Sequence, residues 1–269
     1  MKNTSEHPRC ESRAPWVPWV LLGVLVPATV VAGPAPARVD ADLTWGTAGS
    51  PYELEDDLVI AAGARLTIEA GVEVVLAAGR SMVVQGALVA RGTAAEPILF
   101  HGQEQDGVEV RWGSVLFQDS AMDALFEDVD RYTGGSILEG CELRGAARAL
   151  RITASSPYVH ECTFTHNESP PSMLPPGGGA ILVEQGAAPR IRSCTFTENV
   201  AQIAAFGGAI YVDAADPILQ DNVFIGNEAV YGGALATDHM ASPIVGNRFE
   251  GNDAWESEGG AASLISTVS

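Results

Sequence analysis

From residue 157 onward, polar and apolar positions recur in a fixed order. PYVHECTFTHN begins at Pro157, PRIRSCTFTEN at Pro189, PILQDNVFIGN at Pro217 and PIVGNRFEGN at Pro243. Phe164, Phe196, Phe224 and Phe249 mark the register at intervals of 32, 28 and 25 residues. Each unit then runs on to a Gly-Gly-Ala, at 178–180, 207–209, 232–234 and 259–261. A period of this size, built from brief alternating runs, predicts a solenoid. Apolar residues alternate over three to five positions before Pro, Asn or Gly interrupts them. That suits short strands and leaves no segment for a three-turn amphipathic helix. The expected fold is all-β, a right-handed parallel β-helix with coils stacked at ~4.8 Å.

Strand alternation puts Cys162 with Phe164, and Cys194 with Phe196, on one side of their strands. Stacking then predicts an interior column of Cys141, Cys162, Cys194, Asn222 and Asn247 beside a column of Leu143 and the four Phe. The cysteines read as small core fillers. A second column, Asn167, Asn199, Asn227 and Asn252, falls at the turn after each Phe, where stacked amides can pair with one another and with turn carbonyls. Upstream, the runs from Ala64 to Gly71, Val72 to Leu76 and Met82 to Ala90 are short alternating strands with Gly between them.

The runs GARLTIEAGVEVVL, GALVARGTAAEPILF and RWGSVLFQDSA, with the CTFT-x-N…GGAI unit, resemble exported bacterial β-helix repeat proteins of the pectate-lyase-like superfamily. The resemblance covers residues 54 to 262. It implies the fold, and it leaves function open, because this superfamily includes lyases, hydrolases, epimerases, adhesins and proteins of no known activity. Hydrolases of the polygalacturonase type use Asn-x-Asp, Asp-Asp, Gly-His-Gly and Arg-x-Lys. Here Gly-His-Gly is missing, the only Lys is Lys2, and the only Asp-Asp, Asp56-Asp57, precedes the coils. Lyases of the family pair calcium-binding acids with a basic Lys or Arg. Only arginine remains for that role, with Arg190 and Arg192 projecting from one strand.

The N-terminus changes the domain picture. Lys2, Arg9 and Arg13 precede an apolar run from Trp16 to Ala32, and small residues follow in the order of a secretory signal. Ala35-Pro36-Ala37 and Val30-Val31-Ala32 have the form of cleavage sites. The rival is an uncleaved anchor, for which the run is short of the ~20 residues a span needs. The expected organisation is a signal peptide or N-terminal anchor over 1–37, a linker over 38–52 and a β-helix over 53–269, to be secreted or held at the cell surface. Membrane contact is expected only if the segment stays uncleaved.

The net charge of -19, from 34 acids against 15 bases, makes nucleic acid a poor partner. Four Cys without a CxxC support neither a disulfide framework nor a zinc ribbon. Two outward constellations remain. Four residues beyond the Ala of each Gly-Gly-Ala stand Glu184, Asp213 and Asp238, with His239 adjacent. Stacked ~5 Å apart, neighbouring carboxylates repel by roughly 3 kcal/mol at an effective dielectric of 20. Bound Ca²⁺ would remove that repulsion, and splaying into solvent would also relieve it. The second constellation is the loop before each Gly-Gly, which varies in length and carries Leu174, Phe206, Tyr231 and Trp255. These residues can stack on sugar rings or pack on one another. The acidic stretch Asp119 to Asp130 lacks the spacing of an EF-hand loop and reads as a solvated excursion between coils.

The leading expectation is a non-enzymatic surface β-helix that binds polysaccharide or a surface partner, with Ca²⁺ as a candidate cofactor. The alternative is a calcium-assisted polysaccharide lyase or related enzyme. A structural spacer or a fragment of a longer β-helix is a third, since the chain still reads as strand at Ser269, and an open edge of that kind is expected either to continue into further coils or to associate end to end with another chain.

Overall fold

Parallel strands satisfy their backbones only on neighbouring strands, so a chain of three- to five-residue strands must wind back on itself at every turn. A computed structural model describes residues 35–128, 131–172, 175–202, 205–256 and 260–265. Among these residues the strands form one nine-strand and two eight-strand sheets, all parallel, with a fourth sheet of four short strands. One coil shows the plan: Ile181–Glu184 lies in the nine-strand sheet, Arg190–Arg192 in the second, Thr195–Thr197 in the third and Val200–Ala201 in the fourth. The next coil repeats it with Ile210–Asp213, Ile218–Gln220, Val223–Ile225 and Glu228–Ala229.

The expected register holds. Leu143 pairs with Phe164, Phe164 with Phe196, Phe196 with Phe224 and Phe224 with Phe249. The four rings stack almost parallel, with centroids 4.9, 4.9 and 4.8 Å apart. Phe164, Phe196 and Phe224 are fully buried at the centre of a core that runs the length of the solenoid.

Beside them the amides form a ladder. The Nδ2 of Asn167 donates to Asn199 Oδ1, that of Asn199 to Asn227 Oδ1, and that of Asn227 to Asn252 Oδ1, each at 2.9 Å. Each Oδ1 also accepts the backbone N–H of the preceding Asn. Each Nδ2 donates in addition to a strand carbonyl one coil back: Leu143, Phe164, Phe196 or Phe224. Asn222 and Asn247 bond the carbonyls of Ile191 and Leu219 in the same way. The three cysteines do this job more weakly, Cys141 Sγ facing Ala90 O at 3.8 Å, Cys162 Sγ facing Leu138 O at 3.4 Å and Cys194 Sγ facing Val159 O at 3.6 Å. All three thiols are free and buried, and burial pushes Cys141 and Cys194 up, which keeps them protonated.

The corners are left-handed. Glu161, Ser193 and Asp221 precede the Cys/Asn column, His166 and Glu198 precede the Asn ladder, and Ala154, Gln185, Ala214 and His239 follow the nine-strand sheet, all at φ between 49° and 57°. The Gly-Gly pairs answer a tighter demand. Gly207 turns at φ 59°, and a Cβ on Gly208 would lie 2.2 Å from the carbonyl oxygen of Gly233 on the next coil.

Residues 38–52, expected as a linker, form part of the first coil. Arg38–Val39 pairs with the strand Leu58–Ile60, and Leu43–Trp45 pairs with Arg65–Ile68. Trp45 and Tyr52 stack at 4.4 Å and are buried. Strands of two and three residues give too short an alternation to register as a pattern. The expected signal segment lies outside the described residues up to position 34, and no helix among the described residues is long and apolar enough to cross a membrane.

Two antiparallel hairpins interrupt the winding, Glu104–Gln105 with Val108–Glu109 and Leu125–Phe126 with Tyr132–Gly134. The second begins within the stretch 119–130 expected as a solvated excursion, of which residues 129 and 130 lie outside the described residues. Its acids Asp119, Asp123 and Glu127 are exposed, but its rings fold back onto the second sheet.

Removing Asn199 strands the amide of Asn167 and the carbonyl of Phe164 in a dry interior. Asn199→Ala is expected to cost about 3 kcal/mol in denaturant unfolding. Ala214→Gly, which relieves a left-handed alanine at an exposed corner, is expected to stabilise by about 0.5–1 kcal/mol in the same assay.

Candidate functional site

From Leu58–Ile60 to Leu235–Asp238, side chains at the second and fourth positions of the strands in the nine-strand sheet point away from the core. The pairings put Leu116, Arg151, Leu182, Tyr211 and Ala236 in one outward row. Thr153, Glu184, Asp213 and Asp238 form the next. The acidic column expected from spacing is therefore in register, strand by strand.

Its three carboxylates do not converge on a common point. Glu184 is 3% exposed; its Oε1 accepts from Arg151 Nε at 2.7 Å and from Thr153 Oγ1 at 2.8 Å. Asp238 pairs with His239 Nδ1 at 2.5 Å. No group of three His, Cys, Asp or Glu among the described residues is arranged to hold a metal ion. With Glu184 given to Arg151 and Asp238 to His239, this column offers a Ca²⁺ far fewer than the six to eight oxygens it needs. Burial, and then the charges of Asp238 and Glu184, raise the Asp213 carboxyl above the usual range, against a smaller opposing pull from His239. Burial, reinforced by the charges of Asp213 and Asp238, pushes the Tyr211 phenol up to about 12, so its hydroxyl stays neutral.

The aromatic candidates meet this row from the side. Phe206 and Tyr231 are bridged as parallel neighbours and stack at 5.1 Å, and Phe206 also stacks on Tyr211 at 5.3 Å. Leu182, Tyr211 and Ala236 form the apolar bed beneath Phe206. Phe206 and Tyr231 are half-buried, so each keeps part of its surface in contact with solvent. Trp255 stands apart: its N–H bonds Ala229 O, which aligns it with Val230 and not with Tyr231, and it is 48% exposed. Leu174 lies outside the described residues. Thus Phe206 and Tyr231 come together with Asp213 and Asp238 on one face, Glu184 turns to Arg151, and Trp255 projects from a neighbouring surface.

Sequence reasoning missed Tyr211, Arg151 and Thr153. Alternation gave the signal, since Tyr211 lies two residues before Asp213. At the N-terminal end of the same face, Leu116, Phe117, Gln118, Asp119, Arg151 and Thr153 line a cavity of about 370 Å³.

The arginine base considered for a lyase is on another side of the solenoid. Arg190 and Arg192 belong to the second sheet, where the Arg190 guanidinium lies 3.8 Å over the Phe126 ring and Arg192 Nε is 3.8 Å from Asp221. Phe126, Tyr132 and Tyr158 form an aromatic group there, capped by the hairpin. Arg148 is buried, with its guanidinium given to Ser169 Oγ and the carbonyls of Pro175, Gly177 and Gly178. Desolvation lowers it to about 10, which leaves it charged at neutral pH. The acidic column and the strand of arginines therefore do not form one site.

Coils of short parallel strands wound around a dry interior, with outward rows on a flat sheet, define a right-handed parallel β-helix; the right-handed twist of the strands sets the hand of such crossovers. The family described as a right-handed β-helix region matches residues 100–268, and a pectate-lyase-like β-helix domain matches residues 38–124. The chain belongs to the right-handed β-helix family. Comparison with curated proteins and with solved structures gives no match.

A carboxyl raised in the folded state contributes stability while protonated, and that contribution is lost as pH rises from the unfolded value through the raised folded one. Asp213→Asn is therefore expected to melt above the parent at pH 7 and level with it below pH 4. Millimolar Ca²⁺ is expected to shift the parent's melting temperature less than this substitution does.

Proposed function

We propose that this chain is an exported, non-enzymatic β-helix that binds polysaccharide on the outer face of its nine-strand sheet. The observation that carries the reading is the juxtaposition of the Phe206–Tyr231–Tyr211 stack with the outward carboxylates Asp213 and Asp238. Pyranose rings present apolar C–H faces and polar rims, and an aromatic ledge beside hydrogen-bond acceptors matches both. The pectate-lyase-like match over 38–124 favours a carbohydrate ligand. The order of the first 37 residues favours export, to the medium or the cell surface.

Two observations weigh against catalysis. Arg151, the guanidinium beside the acidic row, is already paired with the buried Glu184. The strand that carries Arg190 and Arg192 faces another direction. General acid–base work needs the two groups within reach of one substrate atom.

The test is retention of the protein on immobilised neutral and acidic polysaccharides, with Ca²⁺ or chelator, while scoring new chain ends. Retention without cleavage, reduced about tenfold or more by Phe206→Ala with Tyr231→Ala, is the expected result, since stacking partners of this kind dominate such sites. New unsaturated ends would replace the proposal with a lyase. Retention that survives the double substitution but fails in Trp255→Ala would move the site to the neighbouring surface.

A further inference from the structure

The fourth-position row extends beyond the acidic column. The pairing of Leu116 with Val83 and of Phe117 with Val84 brings Gln118 beside Gln85, and Gln85 Nε2 donates to Gln118 Oε1 at 3.0 Å. The pairing of Phe117 with Ile152 brings Gln118 beside Thr153. Gln85, Gln118, Thr153, Glu184, Asp213 and Asp238 thus share one row of the sheet, one residue per coil, in which Arg151 and Thr153 hold the buried Glu184 carboxylate and stand in its place at the surface. Five coil steps of ~4.8 Å make it about 24 Å long. The cavity at Leu116 and Arg151 opens beside its first half, and the Phe206–Tyr231 ledge stands beside its second.

We infer that this row is a ruler for a linear, neutral, β-linked hexose polymer, laid along the solenoid axis with one sugar per coil. The inference rests on the polysaccharide reading above and narrows its substrate. An extended β-linked pyranose chain advances by nearly the step between coils, so successive rings meet successive coils of the row, with Arg151 in place of the buried Glu184 at the fourth. Amide and hydroxyl groups at Gln85, Gln118 and Thr153 both donate and accept, and the carboxylates of Asp213 and Asp238 accept from sugar hydroxyls. The apolar faces of the rings then lie toward Leu116 at one end and the aromatic ledge at the other.

Charge excludes the acidic sugars. Asp119, Asp213 and Asp238 face the row, Glu184 consumes the charge of Arg151, and the whole chain carries -19. A polyuronate would bring one further negative charge per coil against this face, a repulsion that salt weakens. The face therefore selects a neutral chain.

The experiment is calorimetric titration of the full chain with β-1,4-linked gluco- and manno-oligosaccharides of two to eight units, beside oligogalacturonates of equal length. Affinity for the neutral series is expected to rise with each sugar up to six and then level off. Galacturonates are expected to bind about tenfold more weakly at low salt, with the gap closing at high salt. Gln85→Ala with Gln118→Ala removes two steps of the row and is expected to move the plateau from six units to four. These are exposed or half-exposed side chains, so the fold is retained, and a merely structural role would not shift the plateau. Length-independent binding, or equal affinity for galacturonates, would overturn the ruler while leaving polysaccharide binding in place. Failure of every oligosaccharide and of every immobilised polymer would remove both.

Discussion

Every coil of this solenoid depends on its neighbours for its backbone hydrogen bonds. A strand of three or four residues has no intrinsic stability, and its N–H and C=O groups are paired only because the coils above and below arrive in register. The Asn ladder is where that constraint is strictest. At the turn after each Phe, strand bonding stops while the chain is still buried, and the carbonyls of Leu143, Phe164, Phe196 and Phe224 would be left dry. One amide per coil pairs with that carbonyl, with the next amide and with a backbone N–H. Asn222 and Asn247 solve the same problem at the second corner, and upstream Cys141, Cys162 and Cys194 solve it with a weaker donor. The change from thiol to amide along that column is one structural role filled by two chemistries.

The register fixes more than the core. Because alternate residues of a strand point out, any spacing that stacks Phe on Phe also stacks the outward residues. The acidic row and the aromatic ledge are thus consequences of the same periodicity that builds the interior. Their neighbours are held rigidly: Glu184 is fixed by Arg151 and Thr153, and Tyr211 lies under Phe206. A flat, pre-organised strip of this kind gives up little conformational freedom on binding, which suits an extended ligand with weak contacts per unit.

What could be read from the chain follows from how each feature is encoded. Phe164, Phe196, Phe224 and Phe249, with the two Asn columns, were legible because identical residues recur at a nearly constant spacing. The alignment of Glu184, Asp213 and Asp238 was legible by counting from Gly-Gly-Ala. The fate of Glu184 was not, since its partner Arg151 belongs to a preceding coil whose sequence departs from the repeat. Residues 38–52 concealed a coil because two- and three-residue strands hold no period, and Trp255 slipped one position from Tyr231 because the loops differ in length. The hairpin that carries Phe126 and Tyr132 onto the second sheet had no periodic signal at all; its acids suggested solvent, while its rings found Tyr158 and Arg190.

Besides the surface from which Trp255 projects, two faces of the described solenoid carry half-exposed aromatic side chains, and polysaccharide is assigned to only one of them. Hydroxyl-radical footprinting with and without saturating glycan compares them directly. Binding on the nine-strand sheet protects Leu116, Phe206 and Tyr231 from oxidation and leaves Phe126 and Tyr132 as reactive as in the free protein. Protection of Phe126 and Tyr132 with Phe206 and Tyr231 unchanged would contradict the account and assign the ligand to the second sheet.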